Sequence, residues 1–128
     1  MPNNITFDFR GNIPNTELME EYQNSFYDLF INVSSSEGIP VSIMEASSFG
    51  IPCIATDVGG TRELVHTGQN GILLPSDPSP ENVRDAILSI LAMDDKGYET
   101  LRHTTREYWN AHFNAEKNYR EFVDELLR

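Results

Sequence analysis

The sequence lacks the residues that build disulfides and thiolate metal sites, because Cys53 is its single cysteine. One cysteine can form no intramolecular disulfide and no cysteine cluster for zinc. Its three histidines, His66, His103 and His112, do not have the spacing of a metal-binding pair such as H-E-x-x-H. We therefore predict no metal site and no bound cofactor, and we interpret Cys53 as a small core residue.

Long apolar runs are also absent. No run approaches the roughly 20 residues that a membrane-spanning helix needs. The first residues, Met1-Pro2-Asn3-Asn4, lack the charged and apolar regions of a secretory signal. We expect a cytoplasmic location and no direct membrane contact by this segment.

Basic residues are scarce. Nine lysines and arginines stand against 20 acidic residues, for a net charge of −11. Residues 1–80 are the most one-sided part, with ten acids and only Arg10 and Arg62 as bases. An acidic surface repels a phosphate backbone, so we predict no binding of nucleic acid.

The pattern of apolar residues predicts an α/β fold. Short β-branched runs alternate with helical patterns, which is typical of a mainly parallel sheet covered by helices. At 128 residues we predict one domain, residues 1–128, with a three-layer, Rossmann-like parallel sheet of about four strands. The predicted strands are residues 5–10, 29–33, 52–57 and 71–75. The predicted helices are residues 16–25, 40–49, 61–65, a helix from 79 onward, 98–109 and 115–127.

Apolar residues recur at helical spacing in three of these helices, and those of the last helix are predicted to face inward. They are Leu18, Met19, Tyr22 and Phe26 in the first; Val83, Ala86, Ile87, Ile90 and Leu91 in the helix from residue 79; and Tyr119, Phe122, Val123 and Leu126 in the last. We expect Tyr108, Trp109 and Phe113 to anchor the tail helices. The tail helices are therefore predicted to provide packing rather than chemistry.

The loop after the second predicted strand contains the best candidate for a binding site. Ligands of parallel α/β sheets bind beyond the carboxyl ends of the strands. A helix that begins there at Pro40 points unpaired N–H groups into the cleft, and such groups bind phosphate without lysine. Gly38 lets a ligand approach the backbone closely. Glu45 lies about 7.5 Å further along the helix, where a carboxylate can accept hydrogen bonds from ribose hydroxyls.

Several motifs in order carry a family resemblance. The string E-G-I-P-V-S-I-M-E-A, with seven residues between Glu37 and Glu45, is followed by G-I-P-C-I-A-T-D-V-G-G-T-R-E-L-V and then by G-Q-N-G-I-L-L-P. Over residues 5–92 the chain resembles the C-terminal domain of retaining glycosyltransferases of family 4, or group 1, which have the two-domain GT-B fold. The resemblance implies a nucleoside diphosphate sugar as substrate.

The same resemblance implies roles for the matching residues. Glu37 corresponds to the first glutamate of an E-x7-E motif, the catalytic position that contacts the donor sugar. Glu45 corresponds to the second glutamate, which hydrogen-bonds the ribose. The backbone of Gly38, Ile39, Pro40 and Val41 lies where the family holds sugar and diphosphate. Taken singly, Glu37 could simply be an acid favoured near a helix N-terminus, and Glu45 a solvated helix residue.

Other residues stay open at the sequence level. Asp57, Val58, Gly59 and Gly60 follow the third predicted strand and either line the same cleft or only form a tight turn. Arg62 and Glu63 are expected to form an ion pair or to face water. We assign none of them a catalytic role.

Relative to the family, the chain starts at what would be the third strand of the domain. The two preceding strand–helix units, with their basic pair, and the acceptor-binding domain are missing. We therefore expect the isolated chain to bind a nucleoside diphosphate weakly or not at all, and to catalyse no transfer. The alternatives are a sugar-nucleotide epimerase-like domain, which would need further acids and histidines in the cleft, and a non-enzymatic binding or oligomerisation module. The DNA upstream of Met1 would distinguish a longer enzyme from a standalone protein.

Because the first two strands of the family's domain are missing, the sheet of this chain should expose an edge that can pair with another chain. We predict that the chain either places its first strand beside its second or forms a homo-oligomer through that edge. Sedimentation at several concentrations checks this, since a monomer at every concentration rules out the oligomer.

Overall fold

The structure is a computed structural model that describes residues 15–33, 41–112 and 123–127. Five helices and three strands alternate along these residues. The helices are α1 (Asn15–Asn24), α2 (Val41–Ser48), α3 (Thr61–Leu64), α4 (Pro80–Leu91) and α5 (Asp95–His112). The strands are β1 (Phe30–Asn32), β2 (Cys53–Thr56) and β3 (Gly71–Leu74). Residues 123–126 are also helical.

The three strands form one parallel sheet in the order β1-β2-β3. Phe30 pairs with Cys53, and Cys53 pairs with Gly71, so the strands are in register at their amino ends. All four residues of β2 are buried, as expected for a central strand covered on both faces. The parallel α/β prediction is confirmed. Residues 5–10, the first of the four predicted strands, lie outside the described residues.

Helices cover both faces of the sheet and make the three predicted layers. On one face, Cys53 and Ala55 of β2 pack with Ile43 of α2 and Leu64 of α3. On the other face, Ile54 packs with α4 and the first half of α5 through the buried residues Leu74, Ala86, Ile90 and Leu101. Neighbouring residues of β2 point to opposite faces because side chains alternate along a strand.

The ends of α2 and α4 have clear causes in the sequence. Gly50 follows α2 with a φ of +75°, the left-handed conformation that stops helices and that glycine adopts most easily. Ser79 caps α4 because its Oγ accepts from the Asn82 N–H at 3.1 Å, and the Asn82 Oδ1 accepts from the Ser79 N–H at 2.9 Å. Pro80 then occupies the first turn, where no N–H is needed. Both predicted boundaries are confirmed.

Helix α5 closes the edge where the strands begin. The Arg102 guanidinium donates to the Tyr27 carbonyl oxygen at 2.8 Å and to the Phe49 carbonyl oxygen at 3.3 Å. The Tyr98 hydroxyl donates to the Asp28 carbonyl oxygen. These carbonyls lie in the segments that lead into β1 and β2, so α5 satisfies backbone groups that the sheet itself leaves without partners.

Three residues of the apolar stripes are exposed in the structure, and for Leu126 this contradicts the prediction that it faces inward. Leu91 is 58% exposed at the end of α4, and Phe26 is 66% exposed because α1 has already ended at Asn24. Leu126 is 67% exposed. Spacing identifies the apolar side of a helix, but burial also needs a neighbour to cover that side. Tyr119 and Phe122 lie outside the described residues.

Gly71 fits β3 beside β2 because it has no side chain. Its φ is +148°, and a Cβ there would stand 1.7 Å from the Cys53 carbonyl oxygen. That distance is far below van der Waals contact, so the strands must separate. We expect Gly71→Ala to lower the free energy of unfolding by about 4 kcal/mol or more, measured by urea denaturation.

Gly68→Ala is the matched control for this prediction. Gly68 also has a positive φ, +87°, but a Cβ there meets nothing within 4 Å. Its cost should be the backbone strain alone, about 1–2 kcal/mol. Equal losses in the two variants would contradict the role assigned to the contact between Gly71 and Cys53.

Burial also controls the chemistry of Cys53, which is 0% exposed. Burial raises the pKa of the Cys53 thiol from 9.0 to about 12. The folded thiol therefore stays protonated above pH 9.0, where the unfolded thiol ionises, so the free energy of unfolding falls as the pH rises from 9.0 to about 12. We expect a thiol reagent to label the denatured chain at once and the folded chain only as fast as it opens. Fast labelling of the folded chain would show that the thiol is accessible.

Candidate functional site

The candidate site lies at the edge where the three strands end. β1 ends at Asn32, β2 at Thr56 and β3 at Leu74, and parallel strands bring these ends to one edge. The helix that follows each strand must begin at that edge to return the chain. The edge therefore combines helix N-terminal turns with the short segments after each strand.

Two of the six predicted site residues lie in the described part of the chain. Val41 is the first residue of α2 and is 55% exposed. Glu45 lies one turn further along the same helix and is half-buried. Glu37, Gly38, Ile39 and Pro40 lie outside the described residues, so their predicted roles stay predictions.

The Glu45 carboxylate lies on the side of α2 that faces α1. Tyr22 of α1 packs against Phe49, with ring centroids 5.7 Å apart, and Phe49 stands one helical turn after Glu45. Burial raises the pKa of the Tyr22 phenol, and the negative charge of Glu45 raises it further. The Glu45 side chain forms no hydrogen bond with a described residue. The Glu45 backbone oxygen accepts a hydrogen bond from the Ser48 hydroxyl at 2.6 Å.

The segment after β2 contains an ion pair. The Arg62 Nη2 stands 2.7 Å from Asp57 Oδ2, and the Arg62 Nε stands 3.2 Å from Oδ1 and 3.3 Å from Oδ2. The hydrogen bond from Arg62, aided by its charge, holds the pKa of Asp57 below its ordinary value. The prediction that Arg62 pairs or faces water is confirmed. The partner was missed, because the five-residue spacing across Gly59 and Gly60 matches no helical or strand pattern.

The described part of residues 15–80 is strongly acidic. Its only basic side chain is Arg62, against eight aspartates and glutamates. No group of three His, Cys, Asp or Glu side chains among the described residues could hold a metal ion. Any anionic ligand at this edge must therefore be bound by backbone N–H groups, by Arg62, or by residues outside the described part.

The opposite edge of the sheet contains a separate cavity of about 300 Å³ between α4, α5 and the start of β3. Gly71, Ile90, Met93 and Leu101 line it, together with three threonines, Thr67, Thr100 and Thr104. It includes neither Val41 nor Glu45. In the described part of the chain, no helix has the length and apolar character to cross a membrane.

Comparison with known families agrees with this geometry. The sequence pattern of the family "Glycosyl transferases group 1" matches residues 2–108, which include every predicted site residue. The chain belongs to this family. The match favours the glycosyltransferase interpretation over the epimerase-like alternative.

Two curated glycosyltransferases illustrate the similarity. The chain is 30% identical over 122 residues to the GtfA subunit of a UDP-N-acetylglucosamine–peptide N-acetylglucosaminyltransferase from Streptococcus parasanguinis. It is 41% identical over 86 residues to the O-antigen biosynthesis glycosyltransferase WbnH of Escherichia coli. These alignments cover 87% and 67% of the chain, but the chain spans only 23% of either relative.

A solved structure supports the fold assignment. Sucrose-phosphate synthase from Thermosynechococcus elongatus superimposes with a TM-score of 0.70 at 28% identity. The superposition covers 94% of this chain and 30% of that enzyme. This group 1 chain therefore has the fold of one part of a larger glycosyltransferase.

Proposed function

We propose that this chain forms the donor-binding part of a glycosyltransferase that transfers a sugar from a nucleoside diphosphate sugar with retention of configuration. The single observation that carries the proposal is the family match over residues 2–108, which contains the E-x7-E segment. The position of Glu45 on α2, with no hydrogen-bond partner for its carboxylate among the described residues, is consistent with a ligand role.

The start of α2 supplies the binding chemistry in this proposal. The free N–H groups of a helix N-terminus carry about half a positive charge and favour a diphosphate. Val41 and Glu45 are four residues apart, or about 6 Å along the helix axis. One helix can therefore hold the diphosphate at its first turn while Glu45 accepts hydrogen bonds from the ribose hydroxyls.

The remaining roles are carried over from the resemblance. Glu37 would contact the donor sugar beside the anomeric carbon, and Gly38, Ile39 and Pro40 would line the diphosphate. Dipoles fixed in this way stabilise the negative charge that develops on the leaving nucleoside diphosphate. Retention of the anomeric configuration also belongs to the resemblance.

The substrate class and setting of the reaction extend the proposal. The streptococcal relative is named for a UDP-N-acetylglucosamine donor, and we propose a UDP-sugar here. Because the chain spans 23% of that relative, we propose that residues 1–128 are a partial donor-binding domain, inactive without the remaining parts. We place the reaction in the cytoplasm, which fits a single, reduced and buried cysteine.

Titration with UDP, followed by amide chemical shifts, tests the proposal. We expect weak binding, in the millimolar range, with shifts centred on Val41 to Glu45. Glu45→Gln should weaken binding about tenfold, because it removes the charge from a hydrogen-bonded carboxylate.

Glu99→Gln is the matched control. Glu99 is an exposed acid of α5, the helix at the opposite edge of the sheet, and its substitution should leave UDP binding unchanged. Shifts centred away from α2, or equal affinities of the Glu45→Gln and wild-type chains, would sink the donor-site assignment.

A further inference from the structure

Arg62 lies at this edge of the sheet, where it can bind an anionic ligand. Asp57 directly follows β2, the central strand, and α3 begins four residues later. Leu64 and Val65, at the end of α3, pack in the same cluster as Ile43 of α2. The segment from Asp57 to Arg62 therefore lies on the α2 side of the sheet, at the edge where α2 begins.

The start of α2 by itself balances only part of the negative charge of the proposed diphosphate ligand. A diphosphate is strongly negative, whereas a helix N-terminus offers only about half a positive charge. In residues 15–33 and 41–80, Arg62 is the only cationic side chain, among eight acids. Within this described part of the chain, Arg62 is the cation available to offset the repulsion from these acids.

The geometry of Arg62 leaves it able to take a second anion. Its side chain is 75% exposed, while that of Asp57 is only 24% exposed. Asp57 engages Nε and Nη2, and the Nη1 group has no hydrogen bond to a described residue. A guanidinium has five N–H donors in a fixed plane, so the carboxylate orients the group and leaves donors directed away from it.

We propose that Arg62 is a phosphate-binding residue of the donor site, and that Asp57 both orients it and competes with the diphosphate for its charge. This inference rests on the proposed function, since the anion is the diphosphate of the nucleotide sugar. Arg62 is a binding residue, and Asp57 is a positioning residue that acts through it.

The first test is the UDP affinity of Arg62→Gln, measured from the amide shifts of α2. We expect binding to weaken about threefold to tenfold through the loss of a charge-assisted hydrogen bond. Arg84→Gln is the matched control, because Arg84 is an exposed arginine of α4 that also pairs with an aspartate, Asp85. That variant should bind UDP as the wild type does.

In the second test, the expected change in UDP affinity is in the opposite direction. Asp57→Asn removes the competing charge and should strengthen UDP binding about twofold to fivefold, the range expected for an exposed ion pair. An ion pair that only supports the turn predicts weaker or unchanged binding instead. Asp85→Asn serves as the control, with no expected change.

The double variant distinguishes competition for Arg62 from a general effect of charge. In the Arg62→Gln background, Asp57→Asn should no longer strengthen binding, because the two residues act through one contact. An equal gain in both backgrounds would overturn the proposal, as would wild-type affinity in Arg62→Gln. If UDP shifts α2 but Arg62→Gln changes nothing, only this inference fails; if UDP leaves α2 unperturbed, the proposed function fails as well.

Discussion

The parallel pairing of β1, β2 and β3 is the constraint on which the rest of the structure depends. A parallel partner cannot be reached by a tight turn, so the chain must cross back over a face of the sheet after each strand. Helices α2 and α3 make these two crossings on the same face. Their first turns are therefore fixed at one edge, together with Glu45 and the pair formed by Asp57 and Arg62.

The two edges of the sheet have different tasks as a result. At the amino edge, α5 donates hydrogen bonds to carbonyls that precede β1 and β2, and that edge is structural. At the carboxyl edge, the Glu45 carboxylate has no hydrogen bond to a described residue. Ligands bind at this edge in open α/β sheets generally. The acidic character of the chain thus does not exclude an anionic ligand, because the N–H groups of a helix N-terminus can bind one without a basic side chain.

The sequence predicted the central parts of this fold for physical reasons. The run at residues 52–57 is short, apolar and bounded by proline and by glycines, and it forms the buried strand β2. Gly50 and Ser79 mark helix ends through local chemistry that needs no tertiary contact.

The exposed positions of Phe26 and Leu91 could not be predicted, since burial depends on which neighbours arrive from elsewhere in the chain. The ion pair of Asp57 and Arg62 was missed because a turn, and not a periodic element, brings its members together. Of the predicted site, the structure describes Val41 and Glu45, and the other residues remain predictions of the motif.

The contacts of Arg102 bear on how this protein can be dissected. One side chain from near the end of the family match, which extends to residue 108, joins the segments before two neighbouring strands. A deletion that removes Arg102 leaves both carbonyl oxygens without this hydrogen-bond donor and exposes the edge of the sheet where the strands begin. We therefore expect the shortest autonomously folding piece of this domain to retain α5 at least through Arg102.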